Sequence, residues 1–321
     1  MKKYSLAPLG TIDSQEMRKV FAAKLTELAA TDERICLLDA DLMASMSTRS
    51  FLEKYPERTF NCGIQEQNMM GVAAGLSSMG KVPFTHTFGA FAARRAYDQI
   101  FISCGYAKQN VKIIGSDPGV TAAANGGTHM PFEDVAIMRA IPDMMVLEPT
   151  DAAMLDNLIP QIAATKGCAY IRLTRKVSEA VYAPDSTFEL GKAALLREGA
   201  DVAIIAMGYS VHQALKAAET LAESGISAMV IDMFTVAPLD VEAVLEAAKC
   251  GAIVTAENHN VVGGLGSAVA EVLAENCPTP LERVGVRNSF GAVGTRDGLA
   301  RKFEIDAEAI VEAAKKVMTR K

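Results

Sequence analysis

The sequence has no tryptophan, and aromatic residues make up only 6% of its 321 residues. It also has no run of 18 apolar residues, so a membrane span is not expected. Its six cysteines stand far apart and form no CxxC pair, which argues against a zinc site and indicates reduced thiols in a cytoplasmic protein. The segment MKKYSLAPLG has no apolar core after its lysines, so we do not expect a signal peptide.

The sequence also has no excess of positive charge. The formal net charge is −6, and acidic and basic residues are interspersed. A nucleic-acid partner is therefore not expected, because phosphate binding over a large surface requires a basic face. A local basic pocket for a small phosphorylated substrate is still compatible with this composition.

The rest of the composition indicates a globular protein, since half of the residues are hydrophobic and 22% are charged. Short apolar runs alternate with longer helical patterns, which predicts parallel strands joined by crossover helices. The predicted strands are 35–39, 111–115, 144–147, 169–173, 202–207, 228–232 and 252–256. The predicted helices are 65–79, 91–106, 151–165, 210–224, 240–249 and 266–275.

A break in this alternation predicts two domains. The segment 177–191 lacks periodicity and contains Pro184, which is typical of a domain boundary. We therefore predict two consecutive three-layer α/β/α domains with mostly parallel sheets. They are expected at residues 13–183 and 187–321.

Three short segments hold residues that could carry chemistry, and each also has a simpler structural explanation. Glu66, in NCGIQEQNMM, is predicted in the first turn of a helix, where the helix dipole favours any carboxylate. Phe88 and Phe91 could form a flat wall after a short strand, or simply fill the core. His129, in a glycine-rich loop, could relay protons near neutral pH or serve the loop's structure.

A glycine-rich stretch, GGLG at 263–266, opens a predicted helix and invites comparison with dinucleotide-binding loops. The match is poor, because Val269 stands where a third glycine or alanine is expected and a seven-residue loop precedes the motif. A tight turn and close helix packing explain these glycines better.

Together, four segments resemble those of transketolases and follow the same order. GIQEQNM resembles the glycine-hydrophobic-x-Glu-x-x-Met motif of that family, and THTFGAFAARRAYDQI resembles the strand and helix that follow it. NGGTHMPFED resembles the substrate loop, and ENHNVVGGLGSAV resembles a signature of the C-terminal domain. The resemblance runs from about Asp13 to the end, and implies the pyrimidine-binding and C-terminal domains of a thiamine-diphosphate-dependent transketolase.

The resemblance implies that this chain binds the pyrimidine end of the cofactor. Glu66 matches the glutamate that hydrogen-bonds a pyrimidine nitrogen and favours the imino tautomer, which takes the proton from the thiazolium carbon. Phe91 matches the aromatic residue that stacks on the ring, and Phe88 lines the same pocket. Asp41 matches an aspartate of the cofactor site, and Arg94 falls where many transketolases carry a tyrosine.

The resemblance also implies substrate contacts. His129 matches a histidine that hydrogen-bonds the substrate near the reacting carbonyl, and it is counted with Glu66 as catalytic. Arg18, Ser45 and Arg175 match the clamp for the phosphate end of the sugar. Arginine suits this task because a guanidinium group binds an oxyanion bidentately.

The sequence departs from the family in three places. Ser116 stands near a usual phosphate-binding histidine, and Asn125 stands near an aspartate that usually reads an acceptor hydroxyl. Both are kept as substrate-binding candidates, and the changes indicate a modified, branched or sulfonated sugar as an alternative to the standard sugar phosphates. No GDG motif occurs, so this chain is expected to ligate no metal.

The missing motif implies a split transketolase, in which a partner chain completes the enzyme. An N-terminal transketolase subunit is expected to hold the diphosphate and Mg²⁺. The pair would transfer a two-carbon ketol unit from a ketose to an aldose. We expect an α2β2 heterotetramer with two sites, because such an obligate interface is large.

Three other functions fit parts of the pattern. The beta subunit of a 2-oxo-acid dehydrogenase decarboxylase has the same two domains but lacks the HTF…RRAYDQ and GGTH segments. Deoxyxylulose phosphate synthases share RAYDQ but are normally one long chain with three domains. A non-catalytic module of the same fold would not require Glu66, Phe91 and His129, which are all present.

Overall fold

Two β-sheets organise the chain, for which a computed structural model describes residues 4–321. Residues 1–3, which begin the segment expected not to be a signal peptide, lie outside the described part. The strands are β1 (Ile35–Asp39), β2 (Thr59–Asn61), β3 (Val82–Phe88), β4 (Lys112–Ser116), β5 (Met145–Leu147), β6 (Ala169–Leu173), β7 (Ala194–Arg197), β8 (Val202–Ala206), β9 (Ala228–Asp232), β10 (Thr235–Ala237), β11 (Ile253–Asn260) and β12 (Leu281–Val286).

Helices cover the sheets. The α-helices are α1 (Met17–Leu28), α2 (Met43–Met46), α3 (Arg49–Lys54), α4 (Glu66–Ser78), α5 (Tyr97–Gln99), α6 (Asp134–Arg139), α7 (Ala152–Ala164), α8 (Tyr209–Glu223), α9 (Val241–Ala248), α10 (Leu265–Asn276), α11 (Arg296–Lys302) and α12 (Ala307–Met318). Two segments wind as π-helices, Phe91–Arg95 and Ile100–Tyr106, and 3₁₀ turns occur at Pro56–Arg58, Gly119–Asn125 and Gly127–His129. Among residues 4–321, no helix is long and apolar enough to cross a membrane.

The order of the strands is that of open, doubly covered sheets. The first sheet runs β10-β5-β6-β4-β3-β1-β2, and the second runs β12-β11-β8-β9-β7. Within the described chain, the neighbouring strands are parallel except at β10–β5 and β7–β9, which are antiparallel. The central strands of each sheet are almost entirely buried, as expected when helices lie on both faces, whereas the edge strands β2, β7 and β12 are only partly buried. The prediction of two α/β domains with mostly parallel sheets is confirmed.

Most predicted elements are present, but several observed ones were not predicted, among them β7, β12, α11 and α12. The segment Thr85–Phe88 was expected to follow a strand, but β3 runs through Phe88 because its side chains are buried on both faces of the sheet. The predicted helix 91–106 is largely π-helical rather than one α-helix. Helix α1 was not predicted, although Met17, Phe21 and Leu25 stand four residues apart and are all buried.

The two domains share more than a linker. Strand β10 lies in the second half of the sequence, yet it pairs with β5 at the edge of the first sheet, with Thr235 opposite Leu147. The linker itself pairs with the N-terminal segment through short bridges, Leu6 with Tyr182 and Ile12 with Glu179. The two halves are therefore joined by backbone pairing as well as by side-chain packing, and the exact boundary near residue 183 stays a prediction.

Candidate active site

The residues predicted for the site gather where the parallel strands β3 and β4 end. Phe88 is the last residue of β3, and it is paired in register with Ser116, the last residue of β4. Glu66 begins α4, which packs on β3. Ligands bind at this edge in open α/β sheets, because the loops that follow the strands project there.

Glu66 is a buried carboxylate with a defined set of partners. Its side chain is 2% exposed, and Arg95 Nη1 donates to its two oxygens at 3.0 and 2.9 Å. Thr87 Oγ1 donates a longer hydrogen bond of 3.3 Å to Oε1. The helix start alone does not explain this burial, because a capping glutamate is normally exposed to solvent.

An aromatic cluster of Phe88, Phe91 and His129 lies beside two arginines, Arg95 and Arg175 of the predicted clamp. The rings of Phe88 and Phe91 are 6.1 Å apart, and the His129 imidazole lies edge-on to both, at 5.3 and 5.0 Å between centroids. The Arg95 guanidinium lies 4.1 Å from the centroid of Phe91, and that of Arg175 lies 4.9 Å from the centroid of Phe88. The planes of the two phenylalanine rings stand at 77° to each other, so they form a corner rather than the flat wall that their spacing predicted, and the predicted histidine lies against both.

The π-helix Phe91–Arg95 decides which arginine reaches Glu66. Arg94, the predicted cofactor contact, forms an ion pair of 2.7 Å with Glu133 and lies half-exposed. The next residue, Arg95, pairs with Glu66. Single-turn π-helices are frequent at functional sites, because the wider turn redirects side chains. The sequence pattern did not indicate this turn, so Arg95 was missed, and the role predicted for Arg94 stays a prediction.

The three predicted clamp residues lie together. The backbone N–H of Arg18 donates to the carbonyl oxygen of Arg175 at 3.2 Å. The Arg18 side chain donates from Nη1 to the carbonyl oxygen of Ser45 at 2.9 Å. Residues far apart in the sequence thus converge at one end of the candidate site, as the resemblance implied.

Each clamp arginine is already paired with a carboxylate. Arg18 contacts Glu16 at 2.7 Å, and Arg175 contacts Asp117 at 2.6 Å. Asp117 has a left-handed backbone conformation with φ of 57°, which turns its side chain toward Arg175. The clamp therefore has no net formal charge within these four side chains. The sequence indicated the arginines but neither of their partners.

Ser116 points into the sheet rather than toward the clamp. Its hydroxyl lies 3.1 Å from Nε2 of His86, whose Nδ1 lies 3.1 Å from the Asp39 carboxylate. All three side chains are fully buried. The next residue, Asp117, is the one whose side chain contacts Arg175 of the clamp. Direct substrate binding by Ser116 stays a prediction.

The remaining predicted residues are exposed at the rim. Asp41 follows β1 with φ of 65°, and its carboxylate accepts a hydrogen bond of 3.2 Å from the Asn61 amide. Asn125 is exposed at the end of the 3₁₀ turn Gly119–Asn125. Their assigned contacts with cofactor and acceptor stay predictions.

The second domain holds the loop that carries Asn125 and His129. Asn258, of the ENHN segment, accepts a hydrogen bond from the Val120 N–H at 2.8 Å and donates one to the Pro118 carbonyl oxygen at 2.9 Å. Gly291 packs so closely on Gly127 that a side chain at either residue would collide with the other's backbone. The family signature in this domain thus has a local structural purpose, which is to position the loop.

The glycines at 263–266 serve packing, as expected. Glu257 accepts hydrogen bonds from the N–H groups of Leu265 and Gly266, at 2.8 and 2.9 Å. A side chain at Gly264 would collide with this carboxylate. Burial raises the pKa of Glu257 to about 7. Because a carboxylate already occupies the N-terminus of α10, a dinucleotide phosphate has no room there.

No group of three or more histidine, cysteine, aspartate or glutamate side chains that could hold a metal ion occurs in residues 4–321.

Comparison with known families explains the arrangement. Residues 13–179 match the family described as "Transketolase, pyrimidine binding domain", and residues 191–310 match "Transketolase, C-terminal domain". The chain belongs to the transketolase family.

Two relatives show how closely this transketolase chain follows known subunits. It is 54% identical over 311 residues to the 6-deoxy-6-sulfo-D-fructose transketolase subunit SqwH of Clostridium sp. (strain MSTE9), covering 97% of each chain. It is 36% identical over 299 residues to an apulose-4-phosphate transketolase subunit of Phocaeicola vulgatus, covering 92% of this chain and 96% of that one. Both relatives are of matching length and are named as transketolase subunits.

A solved structure leads to the same conclusion. The chain superposes with a TM-score of 0.88 and 44% identity on one described as "Split gene transketolase, inactive beta4 tetramer", over 96% of this chain and 99% of that chain. The predicted resemblance to the C-terminal subunit of a split transketolase is confirmed.

The pyrimidine-binding family implies thiamine diphosphate as the cofactor, and the residues of this transketolase chain fit one end of it. A buried carboxylate beside two phenylalanine rings suits a planar heterocycle with a nitrogen at its edge. Glu66 would hold the ring nitrogen, and Phe91 would hold the ring face.

Proposed function

We propose that this chain is the pyrimidine-binding subunit of a thiamine-diphosphate-dependent transketolase, which moves a two-carbon ketol unit from a ketose to an aldose. The observation that carries the proposal is the buried Glu66 carboxylate beside the Phe88, Phe91 and His129 cluster. The cluster lies in a chain that matches the pyrimidine-binding and C-terminal domains from near one end to the other.

Each residue has a distinct task in this proposal. When bound, thiamine diphosphate stabilises the negative charge that develops as the carbon–carbon bond breaks. Glu66 hydrogen-bonds the pyrimidine nitrogen and so controls the proton on that ring. His129 donates a hydrogen bond near the reacting carbonyl, and Phe88 and Phe91 exclude water from the ring face.

The assembly includes a second kind of chain. An N-terminal transketolase subunit holds the diphosphate and Mg²⁺, and the two chains form an α2β2 heterotetramer in the cytoplasm. The relative of 54% identity is itself named a subunit, which supports a divided enzyme.

The clamp suits a sugar that ends in an anionic group, because guanidinium groups bind oxyanions. A phosphate monoester carries nearly two negative charges at neutral pH, whereas a sulfonate carries one. The two clamp arginines each already face a carboxylate, Glu16 and Asp117, and Lys19 and Lys176 lie 3.7 and 3.6 Å from Glu16, so positive charge remains here for either anion. The name of the relative with 54% identity includes a sulfonated fructose, and we propose a sulfonated ketose as the donor.

A panel of donors tests the proposal in the complex with the partner subunit. We expect the highest kcat/KM with a ketose that carries a terminal sulfonate, a lower value with the matching phosphate, and the lowest with the uncharged sugar. Arg175→Ala should raise KM for the charged donors about tenfold or more, the worth of a charge-assisted hydrogen bond, and should change the uncharged donor little.

Arg34→Ala serves as the control, because this arginine forms an exposed pair with Asp32. An equal effect of Arg175→Ala on charged and uncharged donors would refute the clamp. Turnover of a 2-oxo acid with a lipoyl acceptor, and of no ketose, would refute the transketolase.

A further inference from the structure

The Arg95 side chain contacts both residues assigned to the pyrimidine ring, Glu66 and Phe91. Arg95 Nη1 donates to both oxygens of Glu66, at 2.9 and 3.0 Å. The same guanidinium lies 4.1 Å from the centroid of Phe91. Glu66 and Phe91 are the residues assigned to the edge and to the face of the pyrimidine, so Arg95 lies where those two contacts meet.

The guanidinium group resembles the ring in the features that these residues recognise. It is flat, it offers N–H donors at its edge to a carboxylate, and its face stacks on an aromatic ring. A pyrimidine on Phe91 with its nitrogen at Glu66 makes the same two contacts. The two planar groups therefore compete for one place, because the guanidinium already contacts both oxygens of Glu66 and lies over the Phe91 ring.

We propose that Arg95 is a displaceable placeholder for the pyrimidine ring of thiamine diphosphate, and that cofactor binding requires Arg95 to swing away from Glu66. This inference rests on the proposed function and adds a step that controls how the cofactor enters. Arg95 keeps the buried carboxylate paired until the ring replaces it, which avoids the large penalty of an unpaired buried charge.

The surroundings allow this exchange. The Arg95 side chain is 43% exposed, whereas that of Glu66 is 2% exposed. Among the described residues, the Arg95 side-chain hydrogen bonds go to Glu66 alone, and the half-exposed guanidinium can turn into solvent when the ring takes its place. Thr87 Oγ1 stays with Glu66 at 3.3 Å, so the carboxylate keeps one donor while Arg95 leaves.

The test is the affinity of the assembled two-subunit complex for thiamine diphosphate in the presence of Mg²⁺, measured by isothermal titration calorimetry. Arg95→Ala removes the competitor, and Arg95→Met removes the guanidinium but keeps an apolar chain of similar length. Both variants should bind the cofactor about fivefold more tightly than the wild type, because the ring no longer has to displace a paired guanidinium.

Arg94→Ala is the matched comparison. It removes the same charge from the same π-helix, but its partner is Glu133. Because Arg94 is itself a predicted cofactor contact, its effect on cofactor affinity reports the loss of charge together with any such contact, and the proposal requires the effect of Arg95→Ala to be more favourable.

Two outcomes contradict the proposal and can be told apart. If the wild-type complex binds the cofactor and both Arg95 variants bind it equally or more weakly, Arg95 is a residue that positions Glu66, and the placeholder is rejected while the proposed function stands. If the wild-type complex and all variants bind no cofactor, the proposed function and the placeholder fail together.

Discussion

Glu66 stands apart among the single residues because it combines burial, a negative charge and a place at the start of a helix. A buried carboxylate is stable only when hydrogen bonds or an opposite charge compensate for its lost hydration. Here the compensation comes from Arg95 and Thr87. A group held in this way can exchange one partner for a ring nitrogen without moving its backbone.

Glu66→Gln tests the role of this carboxylate. An amide has nearly the same shape, but it cannot control the proton on the ring nitrogen. Turnover by the complex should fall by roughly 10²–10⁴-fold, the usual worth of a positioned acid or base. Steady-state kinetics at saturating cofactor measure the effect.

Glu53→Gln is the control, because Glu53 is exposed on α3 and the substitution removes the same charge. Wild-type turnover in Glu66→Gln would remove the assignment of Glu66 as the cofactor-activating residue.

The sequence indicated some of these residues and not others, for a physical reason. Glu66, Phe91 and His129 stand in short motifs whose local structure follows from neighbours in the sequence. Arg95 and Asp117 could not be predicted, because their directions depend on a π-helical turn and on a left-handed residue with φ of 57°. Neither feature has a signal in the spacing of apolar residues.

At the scale of elements, the strand ends at the junction of the two domains carry a buried acid. Asp232, the last residue of β9, accepts hydrogen bonds from Thr150 Oγ1 at 2.6 Å and from the Tyr182 hydroxyl at 2.7 Å. Burial raises the pKa of Asp232 to about 7, with smaller contributions from the charges of Asp151 and Glu148. The folded protein therefore favours the neutral acid.

This raised pKa predicts how stability depends on pH. The stabilisation is fully present below the usual aspartate pKa and is lost as pH rises through about 7. Asp232→Asn stays neutral and keeps a side-chain acceptor for Thr150 and Tyr182. Between pH 5 and pH 8 the wild type should lose on the order of 2 kcal/mol more free energy of unfolding than Asp232→Asn.

Urea unfolding at the two pH values measures this difference. Asp185→Asn is the control, because Asp185 is exposed beyond the linker bridges. Parallel losses in the wild type and in Asp232→Asn would show that Asp232 does not titrate in this range.

The elements themselves were predictable where they are long or fully buried. Strands β1, β6 and β9 have the predicted bounds, because each is a short, fully buried segment of mostly apolar residues. Strand β10 has only three residues, and it pairs with β5, which lies far from it in the sequence. Its pairing depends on how the second domain packs against the first, and no local sequence pattern indicates that packing.

For the whole molecule, the proposed division of the enzyme between two chains is the central claim. This chain carries Glu66, the aromatic cluster and the clamp on one sheet edge, and its second domain holds the adjoining loop through Asn258. Among residues 4–321 it has no cluster that could hold a metal ion. In the proposed function, this chain supplies the pyrimidine and substrate half of a site, and a diphosphate-binding subunit completes it.

Titration of the diphosphate-binding subunit onto a fixed amount of this chain tests that central claim most directly. Ketol transfer from a sulfonated ketose is measured with thiamine diphosphate and Mg²⁺ at each ratio. No turnover is expected from either chain alone, and activity should rise linearly and reach a plateau at an equimolar ratio. Turnover by this chain alone, at the rate of the mixture, would contradict the proposed division of the site.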